Sequence, residues 1–119
     1  MNMNNIYDEA GVFAKTLSQT PECLRFKEAQ NRLKQQPENY TKAKDYLGKQ
    51  MAIQTRQLMG QQLSDDEIQS FNQLTASILA IPEIADFFQA QMGFGKVFQD
   101  IMKIINDAAG FDMDLFGGF

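Results

Sequence analysis

The sequence predicts an all-α protein of about five helices, a small homo-oligomeric helical bundle whose third and fifth helices are long. Apolar residues recur every three or four positions along most of the chain, which is the pattern of amphipathic helices. Capping residues followed by proline or an acid stand at intervals along it and mark where helices begin. No alternating strand pattern, Asn-Gly hairpin turn or internal repeat competes with this reading.

Asn4 or Asn5 caps a first helix with inward positions Ile6, Ala10, Phe13, Ala14 and Leu17, and with Asp8 and Glu9 near its positive end. That helix ends around Ser18. Thr20, Pro21 and Glu22 then supply a cap, a proline at the first helical position and an early acid, which open a second helix through Phe26, Ala29 and Leu33. Pro37 closes it and starts a third. Tyr40, Ala43, Leu47, Met51, Gln54 and Leu58 step at threes and fours along that third helix, which ends near Gly60. Gly48 lies inside it and marks either close packing or a bend, because a mid-helix glycine costs up to about 1 kcal/mol relative to alanine.

Ser64 and Glu67 form an S-x-x-E capping box ahead of Ile68, Phe71, Leu74, Ile78 and Leu79, the clearest helix start in the chain. Pro82 follows almost at once, so the fourth and fifth helices join through a short turn and pack as neighbours. The fifth helix, from Pro82 to Ala109, carries Ile84, Phe87, Phe88, Met92, Phe98, Ile101, Met102 and Ile105 as one wide apolar stripe. It would run about 42 Å at 1.5 Å per residue, whereas a compact chain of this length has a radius of gyration near 13 to 14 Å. Either it breaks at Gly93 and Gly95, or its ends lie against a second subunit. The stripe is wide enough to serve two surfaces, so some of its residues belong to the intrachain core.

Composition bounds the rest. At 119 residues, 44% apolar and 22% charged, the chain fits one domain, residues 1–109, followed by a tail, residues 110–119. A chain of this size buries somewhat over 60% of its unfolded surface, enough for a cooperative core with little spare for a deep substrate pocket. The tail GFDMDLFGGF is unsuited to a stable helix and is either a frayed terminus or an acidic, aromatic segment that docks on a partner. The amino-terminal residues have no basic region followed by an apolar one, and no window reaches the roughly 18 apolar residues that span a bilayer. A cytoplasmic protein without membrane insertion is expected. The single cysteine, Cys23, forms no internal disulfide, which agrees with a reducing compartment.

The net charge of −4 argues against non-specific nucleic-acid binding, and no direct DNA binding is expected. The charge is uneven, however. Residues 25–56 hold eight bases and three acids for a balance of +5, and the remainder is −9. Lys34 with Glu38, Glu38 with Lys42 and Asp45 with Lys49 have i,i+4 spacing, so a solvated, self-paired helix face is favoured over a patch for RNA or an acidic partner.

Catalysis has little to work with. The absence of histidine removes the commonest general base and metal ligand, so Ser-His-Asp, Cys-His and Glu-x-x-His sites are unavailable. Asp65, Asp66 and Glu67 cluster where acids stabilise a helix's first turn. Cys23, near the start of the second helix, is read as a half-buried core residue rather than a reactive thiol, and alone it is insufficient for a zinc or iron–sulfur site. Met92-Gly93-Phe94-Gly95-Lys96 matches neither the Walker nor the dinucleotide fingerprint. No cofactor and no metal are expected.

Taken in order, IYDEAGVFAKTL, TPECLRFKEAQNRL, the glutamine-rich helix ending in MGQQLSDDEI, and LxxSILAIPEIADFFQAQ leading into the last amphipathic helix resemble the YlbF/YmcA family of small helical bacterial regulators. The likeness covers nearly residues 5–109 and is most specific from Gly60 to Phe88. It implies a non-enzymatic, self-associating, all-helical protein. Members of the family regulate competence, sporulation and biofilm formation in low-GC Gram-positive bacteria, the best known acting in a heteromeric complex that modulates messenger RNA processing through the membrane-anchored RNase Y. Those members hold iron–sulfur clusters with cysteines, partly near their C-termini. This chain departs from that pattern, since FDMDLFGGF has no cysteine, so the resemblance carries no cluster to it.

The resulting expectation is a homodimer or higher oligomer that makes protein contacts through the fifth helix and part of the third, including partners from an RNA-processing complex. Ile84, Phe87, Phe88, Phe98, Ile101 and Ile105 are its apolar anchors, and Met92 and Met102 adapt to the partner surface. The alternative is an RNA-associated accessory protein that contacts phosphates through residues 25–56.

Overall fold

The computed structural model describes residues 5–110. It has five helices, α1 (Ile6–Ser18), α2 (Pro21–Lys34), α3 (Pro37–Leu58), α4 (Asp65–Leu79) and α5 (Pro82–Ala109), and no strand among the described residues. The all-α reading therefore holds.

Local chemistry sets the boundaries. The Asn5 side chain accepts from the backbone N–H groups of Tyr7 and Asp8, and Thr20 accepts from Cys23. Ser64 and Glu67 complete the reciprocal capping box, with Glu67 N–H on Ser64 Oγ at 3.1 Å and Ser64 N–H on Glu67 Oε1 at 3.1 Å. α3 ends in a Schellman motif, in which Gln61 N–H donates to Arg56 O and Gly60 N–H to Gln57 O, with Gly60 at φ 79°. Gly110 plays the left-handed role after α5, at φ 73°.

The core lies where four helices meet. Leu33 of α2, Ala43 and Tyr46 of α3, Ile78 of α4 and Ile84 of α5 form one buried cluster, flanked by Phe71, Leu74, Ile81, Phe87 and Phe88. Tyr46 stacks on Phe71 with centroids 5.3 Å apart, and its hydroxyl meets Thr75 Oγ1 at 2.9 Å, which satisfies its one polar atom. Phe26, early in α2, stacks on Phe94, whereas Arg32 near its end reaches Asp86, so α2 runs antiparallel along the first half of α5.

Three expectations need correction. Of the inward positions of α1 only Leu17 is half-buried; Ile6 is 69% and Phe13 46% exposed, and no α1 residue is fully buried. The reason is position: α1 packs only against α2, its neighbour across a two-residue turn. In α3 the buried face passes through Ala43 and Tyr46, and Met51 and Leu58 of the expected stripe are exposed because α2 does not extend along them. Of the three expected ion pairs only Lys42 with Glu38 forms, at 3.5 Å. Lys34 ends one helix and Glu38 begins the next, so their spacing is not that of a single helix.

The molecule is extended and thin. Its radius of gyration is 18.4 Å and its extents are 59 × 38 × 17 Å, against about 13 to 14 Å for the radius of a compact chain of this length. Its accessible surface is 9277 Å², where a compact monomer of its mass would show about 6,500 Å².

Candidate functional site

α5 is continuous for 28 residues. Gly93 and Gly95 do not break it, and an added Cβ at either would meet nothing within 4 Å, so neither glycine serves close packing within the chain. The same is true of Gly48 in α3.

The apolar stripe of α5 divides along its length. Ile84 has no exposed surface and lies in the core of its own chain. Phe87 and Phe88 are half-buried against the core cluster, and Phe87 also packs on Phe26 with centroids 5.6 Å apart. Met92 is 75% exposed on the outer side. Beyond Phe94 the support thins. Phe98 is 49%, Met102 37% and Ile105 49% exposed, Phe98 keeps a ring contact with Phe94 at 6.5 Å, Ile101 is half-buried, and Ile104 is 68% exposed. At 100° per residue Phe98, Met102 and Ile105 lie within about 60° of one another on the helix surface. The charged residues of this half fall on the opposite face, in two i,i+4 pairs, Lys96 with Asp100 at 3.2 Å and Lys103 with Asp107 at 2.8 Å. The outcome is an apolar strip clear of ionisable groups along the last four turns.

A second concavity lies between the end of α3 and α4. It encloses about 450 Å³ over Ile53, Leu63, Phe71 and Leu74, with Lys49 and Arg56 at its rim. Arg56 donates to both carboxylate oxygens of Glu67, one of these contacts being Nη2 to Oε1 at 3.4 Å. That hydrogen bond, with the one from Ser64 N–H, holds the Glu67 carboxyl down to about 2. Glu67 therefore closes the helix cap and ties α4 to α3, a structural use of the acid.

Cys23 is buried, as its core reading requires. Among the described residues no group of three or more His, Cys, Asp or Glu side chains is placed to hold a metal ion. The basic segment is half neutralised by the chain itself. Arg25 and Arg32 reach Asp86 at 3.6 and 3.7 Å, Arg32 also pairs with Glu28, Lys42 pairs with Glu38 and Arg56 with Glu67. Asp86 was invisible to sequence spacing, because it lies more than fifty positions from the bases that it meets. Tyr46 was missed for a smaller reason, since a step of four from Ala43 selects Leu47 and a step of three selects Tyr46. No described helix is long and apolar enough to cross a membrane. The candidate docking tail lies outside the described residues, apart from Gly110.

Comparisons with known proteins agree on one relationship. The family described as "Control of competence regulator ComK, YlbF/YmcA" matches residues 6–108. A UPF0342 protein of Caldicellulosiruptor saccharolyticus is 30% identical over 115 residues, covering 97% of this chain and 96% of its own length. A UPF0342 protein of Latilactobacillus sakei is 30% identical over 102 residues, covering 86% and 90%. No solved structure matches. With the family model spanning α1 to the last turn of α5, and relatives 30% identical over 86 to 97% of this chain, the chain belongs to the YlbF/YmcA family.

Proposed function

We propose that this protein is a non-enzymatic cytoplasmic regulatory module that acts by self-association and by docking other proteins, in developmental control of the kind that its family's description names. The observation that carries this reading is the partly exposed apolar strip Phe98, Met102 and Ile105 on the last four turns of α5. Contiguous apolar surface on a thin, extended chain marks an interaction site rather than a finished exterior. The lack of histidine and the structural employment of Glu67 and Cys23 supply no proton-transfer pair, which supports an adaptor over a catalyst.

Sedimentation at tens of micromolar tests it. The wild-type chain is expected to sediment as a dimer or larger, and Phe98→Asp as a monomer of unchanged helicity. A strictly monomeric wild type would overturn the reading.

A further inference from the structure

Two amphipathic helical faces are only partly covered in this chain, and they match in length. α1 has 13 residues, about 20 Å of helix, with Ile6, Ala10 and Phe13 exposed on one side and Leu17 half-buried at its end. The half of α5 beyond Phe94 is about 22 Å long, with Phe98, Met102 and Ile105 on one side. α1 packs on α2 alone and makes no contact with α5 of its own chain.

From this we infer that α1 of one copy lies along the distal half of α5 of a second copy, and that the exchange is reciprocal. The inference rests on the self-association proposed above and names the surfaces that meet. A two-fold arrangement of this kind covers both faces of both chains at once and closes on itself. Pairing α5 with α5 would leave Ile6 and Phe13 in water, and pairing α1 with α1 would leave Phe98, Met102 and Ile105 there. The area also agrees. The chain exposes 9277 Å², roughly 2,800 Å² more than a compact monomer of its mass, while a standard interface removes about 800 Å² from each partner. The surplus exceeds what a standard interface removes from one partner.

Site-directed cross-linking decides between the arrangements. In a Cys23→Ser background, chains carrying Phe13→Cys are mixed with differently tagged chains carrying Phe98→Cys, Met102→Cys or Ile105→Cys, and the mixture is refolded and oxidised. A disulfide between the two tagged chains is expected for at least one combination. A sedimenting dimer that yields only Phe13→Cys with itself, or only the α5 cysteines with themselves, would overturn the exchange while leaving self-association intact. A monomer would overturn both. A second variant guards against cross-links from random collision: Phe13→Asp, at a position with no role in the core, is expected to weaken dimerisation roughly 100-fold or more with helicity unchanged. An undiminished dimer would sink the inference.

Discussion

The two halves of α5 have the same apolar spacing and opposite fates. From Pro82 to Phe94 the helix lies under α2, α3 and α4, and Ile84 is sealed from water. From Gly95 to Ala109 the stripe continues, yet Phe98, Met102 and Ile105 remain 37 to 49% exposed. What differs is the supply of neighbours, because α2 is 14 residues long and covers half of a 28-residue helix. A periodic stripe states that a face is to be covered and leaves open whether the cover is intrachain.

The sharpest way to break this comparison is to make the same truncation in both halves. Ile84→Ala is expected to lower the unfolding free energy by about 2 to 5 kcal/mol, through lost burial and a residual cavity. Ile105→Ala should change the stability of the isolated chain by no more than about 0.5 kcal/mol, as at an exposed site. Urea denaturation at a concentration where the chain is monomeric reads both. Equal losses would show that the distal half is packed within the chain after all.

The glycines give a smaller effect of opposite sign. Gly93 is exposed, in regular helix, with open space around its Cβ position. Gly93→Ala is expected to raise stability by up to about 1 kcal/mol, chiefly by narrowing the unfolded ensemble. A loss in the associated form, read by thermal unfolding at high and low protein concentration, would place a partner's backbone against this turn.

The smallest effect lies far from α5, at the Arg56 to Glu67 tie. Glu67 is held down to about 2 from an ordinary 4.5, so its contribution is fully present above pH 4.5 and is lost as the pH falls towards 2. Both side chains are solvated, so the contribution is modest. Glu67→Gln should lower the thermal midpoint slightly at neutral pH, and the gap from wild type should close between pH 4.5 and 2. A gap unchanged at pH 2 would mean that the cap and tie do not depend on the charge.

Helix boundaries were highly legible, because they depend on residues next to one another. Asn5, Thr20 with Pro21, Ser64 with Glu67, Pro82 and Gly60 each act on their own backbone, and each does what its local chemistry requires. Much less of the candidate site could be read. Of the eight stripe residues, Ile84 went to the core, Phe87 and Phe88 to its margin, and the partly exposed strip kept Phe98, Met102 and Ile105. Periodicity locates a face on a helix and not the distance along it at which a neighbour ends.

By itself, the sequence determined five amphipathic helices, their order and their caps, since hydrogen-bond geometry and 3.6-residue spacing are local properties. Only the tertiary structure decided which parts of those apolar faces are covered. Helix lengths and crossings leave much of α1 and of the end of α5 exposed, and that outcome depends on contacts between residues far apart in the chain.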